Sequence, residues 1–169
     1  LWYCVLGDDG TNPGAVYRTD DAGRTWRRVS RDLSVADVKR LALAPSNPQR
    51  LYLAARDRYM GGRTYFGGVY RSDTGGTSWR RVLTDAFVQG LAVDPRNADV
   101  VYAGLTDHPY HDESTGDGIR MTRDGGTTWT VPGEPTCRQV NCIAVDPQDP
   151  ERVYLGTGGN GVFAGRIRW

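Results

Sequence analysis

The chain has 169 residues, 38% of them hydrophobic, with 21 basic and 20 acidic side chains spread along its length and a formal charge of +1. That is the length of one ordinary domain with enough apolar residues for a core, which excludes a disordered chain, and the balanced charge leaves no basic field for nucleic acid and no acidic tail. No apolar run approaches the ~20 residues of a membrane-spanning helix, and the opening LWYCVLG has neither an initiator Met nor a charged signal-peptide start, so a preceding segment is expected.

In chain order, one unit returns four times. The first, residues 1–31, carries TDDAGRTW at 19–26; the second, 32–84, carries LALAPSNPQRLYLAA from Leu41 and SDTGGTSW from Ser72. The third, 85–132, repeats the pair as LAVDPRNADVVYAGL from Leu91 and TRDGGTTW from Thr122; the fourth, 133–169, has IAVDPQDPERVYLGT from Ile143 and then GVFAGRIRW. Trp26, Trp79 and Trp129 lie 53 and 50 residues apart, and Pro45, Pro95 and Pro147 lie 50 and 52 apart, so two markers give one period. Within a unit the apolar residues alternate over short runs bounded by Pro, Asn, Asp and Gly, which is the period of strands and not of helices.

The second unit reads as strand A at Val38–Ala44, a tight turn at Pro45–Arg50, strand B at Leu51–Ala54, a long loop to Gly68, strand C at Val69–Arg71, the repeated turn, and strand D at Ser78–Leu83. Four antiparallel strands in about 50 residues make a β-propeller blade. The expected fold is therefore all-β, with 14 strands in three and a half blades. The first unit lacks strand A, the last lacks strand D, and the whole is expected to be a fragment of a 6–8-bladed ring.

TDDAGRTW and TRDGGTTW match Ser/Thr-x-Asp-x-Gly-x-Thr-Trp at every defined position, and the chain thereby resembles the Asp-box (BNR) propellers. In the middle copy Thr74 stands in the Asp place and Ser78 in the Thr place, so that turn lacks its carboxylate cap. The superfamily includes sialidases, xyloglucanases, sortilin-type receptor domains and photosystem assembly factors; the Val/Ala-Asp-Pro and Val-Tyr-x-Gly rhythm is most similar to the last three. The Phe/Tyr-Arg-Ile-Pro segment of a sialidase is absent, since GRIRW has Arg166-Ile167 without the flanking aromatic and proline. Physically the box is a turn device. Asp21 and Asp124 accept hydrogen bonds from the turn's own amides, Gly23, Gly76 and Gly126 allow its backbone shape, and Trp26, Trp79 and Trp129 plug the sheets as buried aromatics.

Strand parity places the boxes and the short A–B turns on one face and the B–C and D–A loops on the other. The second face carries the loops that vary between units, where binding and catalysis concentrate. ARDRYMGGRTYFGG, residues 55–68, supplies Arg56, Asp57, Arg58, Arg63, Tyr59, Tyr65 and Phe66, a mixture that suits a sugar ring, a protein contact, or a loop packed on itself. TDHPYHDESTGDG, residues 106–118, supplies Asp107, His108, Tyr110, His111, Asp112 and Glu113. These are metal-ligating types, but a Pro-containing loop fixes no ligand geometry, so no metal and no cofactor is expected.

Two functions follow. The first is a binding or assembly scaffold whose loop face docks a glycan or a protein through Arg56, Tyr59, Tyr65, Phe66, His108, Tyr110 and His111. The alternative is part of a secreted glycoside hydrolase in which Asp57 or Asp107, at the start of equivalent loops, is one of the two carboxyl groups such hydrolysis needs; Asp112 and Glu113 are spare candidates. Because the resemblance is to enzymes that place their cleft between two propellers, this chain would carry one wall. The other expected partners are the remaining blades of a parent chain or a second copy, closing a ring of about seven blades. Cys137 and Cys142 flank RQVN and are expected either to bridge that loop or to remain two thiols, while Cys4 stands apart.

Overall fold

The computed structural model describes residues 1–106, 118–132 and 139–166. These contain fifteen strands and no helix. β1 (Trp2–Leu6), β2 (Ala15–Thr19) and β3 (Arg27–Arg28) form the first sheet; β4 (Asp37–Ala44), β5 (Asn47–Arg56), β8 (Gly68–Ser72) and β9 (Arg80–Leu83) form the second in that order. β10 (Val88–Val93), β11 (Val101–Leu105) and β12 (Ile119–Thr122) make the third, and β13 (Val140–Val145), β14 (Arg152–Thr157) and β15 (Val162–Arg166) the fourth. All pairs are antiparallel, and apart from the insertion between β5 and β8 each strand pairs with the next in sequence, the meander of a propeller blade; the fold is that of a partial β-propeller.

Three details differ from the sequence reading. Residues 55–68 are not an open loop: β6 (Arg58–Met60) and β7 (Arg63–Tyr65) pair as a separate hairpin. Gly61 and Gly62, at φ 59° and 76°, supply the two left-handed residues that a two-residue hairpin turn demands. Strand B reaches Arg56, two residues past its expected end, and strand D begins at Arg80, two residues late. In the third sheet strand D shrinks to a single bridge, Met121 to Thr130, because Pro132 follows without an N–H for the ladder.

The core lies in the seams between sheets. Leu53 and Ala55 of the second sheet pack on Val16, Val29, Leu33 and Val35; Val101, Ala103 and Leu105 of the third pack on Tyr52, Ala54, Val69 and Leu83. Val153, Leu155 and Val140 of the fourth pack on Tyr102, Ile119 and Met121. Each Val, Leu or Ile side chain among these, fully buried, contributes roughly 1.5–3 kcal/mol. One blade has two apolar faces that cannot be buried within itself, so stacking of neighbours is what makes the core.

Polar contacts fasten the same seams on the face of the repeated turns. Arg50 pairs with Asp73 at 2.6 Å and also with Asp99 of the next sheet; Arg71, itself bonded to Asp73, donates across the seam to Gly125 O at 2.9 Å. Tyr3 and Tyr52 likewise donate to Gly75 O and Ala98 O in the sheet beyond.

Candidate functional site

The repeated turns hold two carboxyl groups whose pKa values are lowered, Asp21 and Asp124. In the first, Thr19 Oγ1 accepts the Gly23 amide at 2.9 Å and donates to Asp21, whose carboxylate accepts both the Thr25 amide (2.9 Å) and the Thr25 hydroxyl (2.6 Å). The third is identical in form, with Thr122, Gly126, Asp124 and Thr128. These bonds favour the ionised carboxylate: the Thr25 hydroxyl first, then Thr19 and the Thr25 amide, hold Asp21 down to about 2, and the Thr128 hydroxyl and amide hold Asp124 further below the ordinary range. In the middle turn Thr74 Oγ1 takes the carboxylate's place, accepting the Ser78 amide at 2.9 Å, while Ser72 Oγ accepts Gly76. All three are closed, self-satisfied turns.

The tryptophans of these turns are not equal plugs. Trp129 packs on the core between the second and third sheets and donates Nε1–H to Val82 O at 2.8 Å; Trp79 packs on the first seam and donates to Gly76 O. Trp26 is 43% exposed. Trp79 and Trp129 each rest on the sheet before their own, while Trp26 belongs to the first sheet described.

The loop face is built around the β6–β7 hairpin. Asp57 sits at its foot: its carboxylate accepts the Gly67 amide and its own amide donates to Ala86 O at 2.8 Å, which joins both ends of the hairpin to the connection entering the third sheet. Arg56 bridges to Phe87 and stacks its guanidinium 5.5 Å from that ring, and Phe87 O accepts the Thr106 amide. Arg81 stacks 5.6 Å from Phe66, and Arg63 stacks 5.2 Å from Tyr65. Arg56 Nε, Arg81 Nε and Thr106 Oγ1 are buried with no hydrogen-bond partner among the described residues, while Arg81 Nη2 donates to Thr84 O at 3.0 Å. Burial pushes the Tyr70 phenol up, and it stays a donor to Phe66 O at 2.8 Å. The hairpin leans back toward the first sheet, with Arg63, next to its turn, donating to Ser34 in the β3–β4 connection and Arg58, at its foot, 3.5 Å from Asp8.

Tyr59, 73% exposed, and Phe66, 56% exposed, offer open aromatic faces. Tyr59 and Tyr65 do not act together. In the hairpin register Tyr65 pairs with Arg58, so it points to the side opposite Tyr59, where it is half-buried under Arg63. Asp107, His108, Tyr110, His111, Asp112, Glu113 and Cys137 lie outside the described residues. Cys142 and Cys4 are exposed thiols.

Two contributors escape a reading confined to the B–C loop. Phe87 and Arg81 belong to the D–A side of the same face, and parity alone marks them. Asp8 follows strand B of the first sheet as Asp57 follows that of the second; its 49-residue distance from Asp57, and the 50 from Asp57 to Asp107, repeat the period of the tryptophans.

No family model matches the chain. It is 29% identical over 165 residues, 96% of its own length, to a probable oligoxyloglucan-reducing end-specific xyloglucanase of Neosartorya fischeri, and 30% identical over 136 residues, 72% of its length, to the oligoxyloglucan-reducing end-specific xyloglucanase of Emericella nidulans. It spans only 13% and 15% of those proteins. Among solved structures, the GH74 enzyme of Niastella koreensis superposes with a TM-score of 0.68 at 23% identity, over 96% of this chain and 27% of that one. That likeness shows the fold, a β-propeller of which this chain forms a part.

Proposed function

We propose that this chain is an Asp-box propeller segment whose loop face forms a glycan-contact wall in a xyloglucanase-type glycoside hydrolase. The observation that carries the reading is the pair of open aromatic faces, Tyr59 and Phe66, set beside an aspartate at the foot of the same hairpin. A sugar ring stacks its C–H face on Tyr59 or Phe66, while the stacked guanidinium groups of Arg56 and Arg81 edge the platform with hydrogen-bond donors. Asp57 and Asp107 supply the carboxyl pair: one gives a proton to the leaving glycosidic oxygen and the other acts as base or nucleophile. The xyloglucanase relatives support glycan as the ligand class.

Binding of xyloglucan oligosaccharides, measured by titration calorimetry, tests the reading. Tyr59→Ala should weaken binding about tenfold, the value of one aromatic contact of ~1.4 kcal/mol, and an unaltered thermal melt keeps the loss local. Absence of any affinity for xyloglucan in the parent chain would refute it.

A second reading, a scaffold that breaks no bond, is favoured by one observation: the Asp57 carboxylate is engaged by Gly67 as a brace of the hairpin. Asp57→Asn keeps an acceptor for that amide and removes the acid. Loss of xyloglucan hydrolysis with binding intact supports catalysis; a variant that binds and acts like the parent supports the scaffold.

A further inference from the structure

Of the two open rings on the loop face only Phe66 is fixed in place, and we propose that Tyr70 and Arg81 are its positioning residues. They keep one face of the ring covered and the other turned outward, ready for a sugar, so that binding there orders no side chain. The role rests on the glycan-wall reading for its ligand. Its geometry lies wholly within the second sheet and the hairpin inserted in it, a sheet that has another packed on either side.

Phe66 is anchored first through its backbone. Tyr70 Oη, on β8, donates at 2.8 Å to the carbonyl of Phe66, the residue that follows β7 as the chain leaves the hairpin. The next amide, Gly67, donates to the Asp57 carboxylate. The chain here is also wedged: a Cβ on Gly67 would strike Ala86 O, and one on Gly68 would strike Leu83 O. Little freedom is left to the backbone that carries the ring.

The ring itself is held by Arg81. This residue pairs with Tyr70 in the β8–β9 register, so the two side chains rise from the same face of the sheet. Its guanidinium lies over the Phe66 ring, 5.6 Å from the centroid, and is tied in turn by Nη2 to Thr84 O at 3.0 Å. A cation is drawn to the negative face of an aromatic ring, so one face of Phe66 is occupied while the exposed side chain leaves the other open. Tyr59 is the contrast, since among the described residues it has neither a hydrogen bond through its hydroxyl nor a stacked partner, and it is the more exposed of the two. A sugar that stacks on Tyr59 must order a free side chain, at a cost of about two- to tenfold in affinity, whereas one that stacks on Phe66 does not.

Double-mutant cycles on xyloglucan oligosaccharide binding, by titration calorimetry, test the assignment. Tyr70→Phe removes only the hydroxyl, and Arg81→Met keeps the bulk without the charge. Each should weaken binding about two- to tenfold in the parent, have no effect in a Phe66→Ala background, and add in full to Tyr59→Ala. Variants that bind like the parent, or that weaken binding equally with and without Phe66, would overturn the proposal. A ligand-free measurement separates it from the glycan reading: the fluorine resonance of fluorophenylalanine at Phe66, assigned by its loss in Phe66→Ala. It should lie away from that of the free amino acid in the parent and move toward it in both variants. If the parent binds no xyloglucan but the resonance behaves in this way, the glycan reading fails and the positioning role stands. A resonance that already matches the free amino acid, or that neither variant moves, overturns the role whatever the chain binds. Should Arg81→Met fail to fold, Tyr70→Phe decides both measurements.

Discussion

Trp26, Trp79 and Trp129 occupy one position in three copies of one turn, yet they should differ severalfold in what they contribute to stability. Complete loss of a buried tryptophan to alanine costs roughly 3–5 kcal/mol. Trp129 is half-buried, so about 2 kcal/mol is at stake in packing, and removal of its Nε1–H leaves the Val82 carbonyl without its donor for about 1 kcal/mol more. Trp129→Ala should therefore cost about 3 kcal/mol, or roughly 6–12 °C in Tm for a domain of this size. Trp129→Phe keeps most of the ring contact and loses the bond, for roughly 1–1.5 kcal/mol. Trp26 is 43% exposed, so little packing is at stake there. Trp26→Ala should cost less than ~1 kcal/mol. Urea and thermal unfolding of the three variants measure the order; a Trp26→Ala loss as large as that of Trp129→Ala would refute the view that each tryptophan is held by the preceding sheet.

Ala22 holds a left-handed φ of 60° where the other two turns have Gly75 and Gly125; Ala22→Gly should raise stability by about 0.5–1 kcal/mol, the relief of a left-handed Cβ less the added freedom of the unfolded chain, and an unchanged or lower melting temperature would contradict it. Asp21 and Asp124 have folded-state pKa values depressed below the ordinary 3.8. Their contribution is thus fully present above about pH 4 and is lost as the pH falls through about 2 for Asp21. Acid titration followed by fluorescence should show unfolding in that window, shallower in Asp21→Ser and Asp124→Ser. Thr74→Asp restores the carboxylate where the Ser78 amide already donates, so it should raise the melting temperature at neutral pH and lose that gain below about pH 4; a gain that persists in acid would mean the hydroxyl was not the weaker cap.

The repeat made the fold legible. A 50-residue period, with Pro45, Pro95 and Pro147 after one strand and a Trp before another, is local information, and it fixed strand order, parity and the two faces. What escaped depends on contacts between sheets. Trp26 has the same neighbours in sequence as Trp129 but a different exposure, since its burial is decided by a sheet that no residue near it encodes. The hairpin was legible in principle: Gly61-Gly62 between Arg-Tyr-Met and Arg-Thr-Tyr is a two-residue turn signal, overridden by reading length and polarity as loop. Within the candidate site the aromatics were found from composition, but that Tyr59 and Tyr65 face opposite ways needed the hairpin register, and the stacking of Arg56 on Phe87 needed the third sheet beside it.

The hairpin grows from the second sheet but is also held from outside it, by Arg58 near Asp8 after β1 and by Arg63 on Ser34 in the connection between β3 and β4. It is therefore a lever whose fulcrum and stay belong to different blades, and its tilt follows the angle between them. Any change in the angle between the first two sheets is carried to Tyr59, whatever its own contacts. Arg58 and Arg63 reach their partners from exposed positions, and each tether is worth at most about 1 kcal/mol, so the lever yields readily: Asp8→Asn, after β1, or Ser34→Ala, in the connection between β3 and β4, would shift Tyr59 without touching it.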